Sequence, residues 1–78
     1  MKTKTFSEGE IPKPLLKNHQ TKEKTWGKIN VVEGEILYVI EGGEEILLSP
    51  DIPGIVEPEV LHHVKVMGPV KFYVEFFK

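Results

Sequence analysis

The apolar residues of this chain come in short runs, each bounded by Gly, Pro, Asn or Asp, and no segment shows helical periodicity. Runs of this kind are typical of β-strands joined by tight turns. Gly42-Gly43 lies between two such runs and favours a hairpin, since both glycines accept a positive φ. About seven or eight short strands at near-regular spacing predict a sandwich or a barrel.

The predicted strands leave little of the chain for other structure. Ile11 to Pro14 is predicted to be extended, because proline lacks an amide donor and restricts the residue before it. Residues 18–24 are polar and predict a loop. The strands are expected at 3–7, 25–32, 35–41, 44–48, 55–57, 60–67 and 70–77, with a turn or bulge at Glu33-Gly34 and a turn at Gly68-Pro69.

The length of 78 residues predicts one domain, residues 1–78, with a small core. Domains of this size often need a disulfide, a metal or a partner subunit, and the absence of cysteine excludes disulfides and thiolate metal sites. Residues 36–40 read Ile-Leu-Tyr-Val-Ile and are apolar on both faces of a strand. Either the barrel covers both faces, or one face meets a second subunit, so a homodimer is predicted.

The charge pattern excludes several classes of partner. The net charge is −2 and the lysines alternate with acids, so we expect no binding to nucleic acid. No uncharged run approaches the ~20 apolar residues that a membrane span needs. Met1 to Thr5 is not followed by an apolar signal core, which predicts a cytoplasmic protein.

Two segments resemble the motifs of cupin domains. Val31-Val32-Glu33-Gly34 resembles the V-L-x-G signature that closes the first cupin motif. Gly54-Ile55-Val56-Glu57-Pro58, with His62 four residues after the proline, resembles the second motif. The resemblance implies an all-β fold of the cupin-type double-stranded β-helix, a small jelly-roll barrel.

A further pattern is formed by an H-x-T at 19–21, Thr25-Trp26-Gly27-Lys28, residues 55–62 and Val74-Glu75-Phe76-Phe77. In these segments the chain more closely resembles the cupin-like domain at the N-terminus of tellurite-resistance methyltransferases of the TehB type. That domain also occurs as small stand-alone proteins of the YeaR type. The similarity covers roughly residues 12–77. It implies a role in tellurite or nitrogen-oxide stress. The sequence ends at Lys78 and contains no G-x-G-x-x-G, so we expect no methyltransferase activity.

The resemblance also implies a metal site, because cupins hold a divalent metal with imidazoles and one carboxylate. Their first motif supplies H-x-H, whereas this chain has only His19 there. His62 matches the ligand of the second motif and shares a strand face with apolar residues, so it should point into the barrel. Glu57 is the preferred carboxylate and Glu75 the alternative. We expect Zn, Ni, Fe or Mn as the metal.

Each candidate also has a purely structural interpretation. His62 is then a core histidine bonded to a backbone carbonyl, and His19 is a solvated surface residue. His63 follows His62 on a strand and is expected to point outward. Trp26 fits a ligand pocket and the core equally well, whereas Tyr38 favours the core.

Three functions remain in competition. The first is a binding module for a metal or small molecule at the barrel mouth, with His62, His19 and Glu57 as metal ligands and Trp26 in the ligand pocket. The second is a metal-dependent enzyme of the dioxygenase or isomerase type, which the missing imidazole disfavours. The third is a structural or regulatory homodimer without metal.

Overall fold

The computed structural model describes residues 1–17 and 21–77. None of the helices in this part of the chain is long and apolar enough to cross a membrane. The described elements, in chain order, are β1 (Phe6–Ser7), α1 (Lys13–Leu16), β2 (Trp26–Ile40), β3 (Glu45–Leu48), β4 (Gly54–Val56) and β5 (His62–Phe77).

The fold is built around the two long strands β2 and β5, which pair antiparallel along their whole length. β3 pairs with the second half of β2, and β4 pairs with its first half. β1 extends the sheet beside β5, where Phe6 lies opposite Phe72. The strands are antiparallel throughout and curve around a common interior, which confirms the all-β, barrel-like fold class.

The pairing of the two long strands is irregular at Glu33-Gly34, where the sequence predicted a turn or a bulge. The register of β2 against β5 shifts between Val31 and Glu33 and again between Gly34 and Ile36. Gly34 takes a positive φ of 78° at this bulge. Of the two alternatives predicted at Glu33-Gly34, a turn or a bulge, the bulge is the one that forms, and the two strands expected on either side of it are one continuous strand, β2. A glycine bulge bends a strand while the ladder continues beyond it, and β5 likewise runs through Gly68 without ending.

The N-terminal segment differs from its prediction in one element. Lys13–Leu16 forms a single helical turn, although residues 11–14 were expected to be extended. Proline is accepted in the first turn of a helix, where its missing amide would have no partner, and Pro14 occupies that position. The predicted edge strand at 3–7 is shorter, since only Phe6–Ser7 forms a strand.

The core lies between the inward faces of β2 and β5. Its largest fully buried side chains include Tyr38, Phe72, Ile36 and Leu48. The rings of Phe6 and Phe72 meet with centroids 5.7 Å apart. His62 is 3% exposed and is the buried polar residue of the described chain. A polar side chain in this position calls for an explanation, because burial is costly unless its polar atoms have partners.

The Glu8 carboxylate is hydrogen-bonded to the backbone of β5, and this bond makes the stability of the fold depend on pH. Its Oε1 accepts a hydrogen bond of 2.9 Å from the Val70 amide, and this bond lowers the pKa of the Glu8 carboxyl. A carboxylate with a lowered folded-state pKa stabilises the fold above its unfolded pKa, and the contribution is lost as the pH falls through the folded pKa. We expect the urea concentration at the midpoint of unfolding to decrease as the pH is lowered below about 4.

The matched variant for this test is Glu8→Gln, whose amide oxygen still accepts the bond but does not titrate in this range. It should show a smaller loss of stability than the wild type between neutral pH and about pH 3. Parallel pH profiles for the two proteins would contradict the assignment.

Candidate functional site

His62 is the first residue of β5 and points into the barrel. It lines a cavity of about 30 Å³, which is room for about two water molecules. The other described lining residues are apolar apart from Thr21, and Leu15 of α1 is one of them. The sequence prediction that His62 faces inward is thus confirmed by its burial. The cavity walls are completed by Gly27, Ile29, Val56, Val64, Phe72, Val74 and Phe76.

The imidazole of His62 is held in a defined orientation. Its Nδ1 lies 2.8 Å from the carbonyl oxygen of Val60. A carbonyl only accepts, so Nδ1 is the donor in this contact; in a neutral ring Nε2 is then the atom that can accept a hydrogen bond or coordinate a metal. The ring also packs edge-on against Tyr38, with centroids 5.5 Å apart. Orientation of this kind suits both a metal-ligating histidine and a satisfied core histidine.

Thr21 links two loops at the rim of this cavity. Its hydroxyl donates to the Thr25 carbonyl at 2.7 Å and lies 3.4 Å from the Glu57 carbonyl. Its own carbonyl accepts a hydrogen bond from the Glu59 amide at 3.2 Å. Thr21 was not a predicted site residue, although it is the threonine of the H-x-T pattern. It fixes the segment before β2 against the loop that leads to His62.

Glu57 lines a second pocket, a groove next to Tyr38. Burial, and then the Glu57 carboxylate, raise the pKa of the Tyr38 hydroxyl. The described lining of this groove does not include His62, and the lining of the His62 cavity does not include Glu57. Tyr38 therefore lies between the two pockets, since its ring meets His62 and it also lines the groove.

The metal site implied by the cupin resemblance was compared with the residues present. Within residues 1–17 and 21–77, no three His, Cys, Asp or Glu side chains are grouped so as to hold a metal ion. His62 has the orientation of a ligand, but the described cavity wall adds no carboxylate. His19 lies outside the described residues. The described residues alone therefore do not make a metal centre, and a site formed by His62, His19 and Glu57 stays a prediction.

The other candidates lie away from the cavity. Trp26 is 44% exposed, on the face of β2 opposite Gly27 and Ile29. His63 is half-buried beside Val39, on the opposite face from His62. Glu75 accepts a hydrogen bond of 3.0 Å from Asn30.

A scan against family models relates the chain to known proteins. The model of the TehB-like domain matches residues 1–74. The chain belongs to the TehB-like domain family. None of the curated proteins matches this TehB-like chain.

Solved structures share the fold of this TehB-like domain. TehB from Haemophilus influenzae superposes with a TM-score of 0.84 at 24% identity, over 96% of this chain and 29% of that one. This chain thus spans less than a third of that protein. A protein of E. coli strain K12 gives a TM-score of 0.89 at 18% identity, over 100% of this chain and 86% of that one. A protein from Neisseria meningitidis gives a TM-score of 0.63 at 12% identity, over 92% of this chain and 67% of that one.

Proposed function

We propose that this TehB-like domain is a binding module that takes a small ligand in the cavity beside His62. The observation that carries the proposal is a buried imidazole, oriented by the Val60 carbonyl, in a cavity whose other described walls are almost entirely apolar. Ligand sites typically combine apolar walls with a few fixed polar groups. The imidazole would fix the orientation of a bound ligand, and the apolar walls would contribute most of its affinity.

The chemistry of the cavity defines two kinds of occupant. A small molecule with an apolar body and a hydrogen-bond donor would fit the walls and Nε2 of His62. A divalent metal would also bind Nε2, but it needs further ligands, for which the sequence offers His19 and Glu57. A setting in tellurite or nitrogen-oxide stress is part of the proposal through the family resemblance alone.

The test compares metal content and ligand binding in wild type, His62→Ala and His63→Ala. His63→Ala is the matched control, because it removes the neighbouring imidazole from the opposite face of β5. The proteins are purified without an affinity tag or added metal, and each is analysed for Zn, Ni, Fe and Mn. NMR spectra then follow titration with these metal ions and with small alcohols, amides and carboxylic acids.

We expect at least one of these probes to shift the resonances of the cavity-lining residues in wild type and in His63→Ala but not in His62→Ala. Copurified metal that disappears only in His62→Ala would identify a metal as the occupant. A wild type that contains no metal and responds to none of the probes, while folding normally, would contradict the proposal. His62 would then be a satisfied core histidine.

A further inference from the structure

The groove beside Tyr38 has a volume of about 270 Å³, and its described lining shares no residue with the cavity described above. The turn between β2 and β3 contributes Gly43 and Glu44 to the groove, and the loop after β4 contributes Glu57 and Val60. Clefts that bind small molecules typically have volumes of about 300–1,000 Å³, so the groove is close to the lower end of this range. It therefore has room for a small ligand.

Backbone hydrogen bonds fix both segments that border the groove. In the turn, the Ile40 amide donates to the Glu44 carbonyl and the Gly43 amide donates to the Ile40 carbonyl, each at 2.9 Å. In the loop, the Glu59 amide donates to the Thr21 carbonyl at 3.2 Å. The groove thus exists before a ligand arrives, which lowers the entropic cost of binding.

The polar side chains of the groove offer oxygen atoms and carry only negative charge. The described lining includes Glu44 and Glu57, both exposed, and it contains no Lys, Arg or His. The Tyr38 hydroxyl donates to the Ile55 carbonyl at 3.4 Å, so its lone pairs are left to accept. Burial raises the pKa of this hydroxyl, and the charge of Glu57 raises it further. In the described part of the chain, neither carboxylate forms an ion pair with a basic side chain.

We propose that the groove binds a small organic cation, namely a primary ammonium group on a short apolar chain. An ammonium group has three donors and no acceptor, which matches two carboxylates and a hydroxyl oxygen. The side chains of Ile40, Ile55 and Val60 give apolar contact to the chain that carries the ammonium group. This site is additional to the ligand proposed for the cavity and does not depend on it.

The lining of the groove disfavours the other classes of ligand. Within residues 1–17 and 21–77, no three His, Cys, Asp or Glu side chains are grouped so as to hold a metal ion. An anion would be repelled by both carboxylates, and a neutral molecule would gain nothing from their charge. Apolar side chains beside two carboxylates are thus complementary to a cation that has an apolar body.

NMR titration tests the proposal with three probes of similar size and different charge, namely n-butylammonium chloride, n-butanol and sodium butyrate. We expect n-butylammonium to shift the amide resonances of Gly43, Glu44 and Ile55 until they saturate, and to bind more weakly when sodium chloride is added. At the same resonances, n-butanol should bind about threefold or more weakly, and butyrate should not bind.

Two variants test the charges that recognise the cation. Glu44→Gln and Glu57→Gln each remove one charge and keep the shape of the side chain, so each should raise the dissociation constant of n-butylammonium about threefold. Glu45→Gln and Glu59→Gln are the matched controls, because they remove the same charge from neighbouring positions outside the described lining of the groove. They should change the dissociation constant much less.

Three results would overturn the proposal. The first is a wild type that shows no saturable response to n-butylammonium, or that responds equally to n-butanol. The second is an equal effect of all four glutamine variants. The third is loss of n-butylammonium binding in folded His62→Ala, which would assign the probe to the cavity. Retention of binding in His62→Ala would support a separate site in the groove, whatever the outcome for the cavity.

Discussion

Replacing Phe72 by alanine is expected to lower the free energy of unfolding by about 3–5 kcal/mol. Phe72 is 1% exposed, packs against Phe6 on β1 and forms part of the cavity wall. Its removal takes apolar contacts from β1 and enlarges the empty space in a core that is already small. Domains have a total stability of about 5–15 kcal/mol, so the variant should be unfolded in a substantial fraction at 37 °C.

Urea unfolding at a fixed protein concentration measures this loss. The matched control is Phe77→Ala, on the same strand but 48% exposed. Phe77 lies opposite Trp26, so the control should lose only the value of a cross-strand pair, less than about 1 kcal/mol. Similar losses for the two variants would show that the interior is not packed around Phe72.

Gly34→Ala should cost about 3 kcal/mol or more, through two effects at one position. Gly34 has a φ of 78°, which strains any residue with a side chain. A Cβ built there would also lie 2.2 Å from the carbonyl oxygen of Pro69, a backbone atom of the facing strand that has little freedom to move. The substitution should therefore open the bulge that bends β2 over β5.

Gly42→Ala separates the two effects. Gly42 has a similar φ of 70°, but a Cβ there would meet nothing within 4 Å. The free energy of unfolding of this variant should fall by only about 1–2 kcal/mol, the conformational cost of a side chain at positive φ. Urea unfolding of both variants measures the loss of stability in each. Equal losses would show that the close approach of Pro69 to Gly34 adds nothing to the cost of Gly34→Ala.

The class of the fold could be predicted from the sequence because strand patterns are local. Tyr38 was expected in the core and is buried there, and the period of two on a strand placed His62 on the inward side of β5. A turn and a bulge both remained open at Glu33-Gly34, since glycine serves both and only the facing strand decides between them. The short helix α1 was missed because Pro14 is compatible with an extended chain and with a first helical turn alike.

The candidate site could be predicted only in part, for similar reasons. The period of two on a strand was sufficient to place His62 inside the barrel and His63 on the opposite face. It could not show that Tyr38 lies between the His62 cavity and the groove lined by Glu57, because that depends on how the loop at 57–61 packs against β2. Nor could a pattern of apolar residues reveal the role of Thr21, which acts through backbone carbonyls.

We propose that the imidazole of His62 binds a ligand and does not merely fill a position in the core. Nitrogen-detected NMR of the histidine rings tests it most directly, during titration with Zn²⁺, Ni²⁺, Mn²⁺ and the small organic probes. We expect a proton on Nδ1 of His62, hydrogen-bonded to the Val60 carbonyl, and a change at Nε2 when a probe enters the cavity. A proton fixed on Nε2, or a ring that no probe alters, would contradict it.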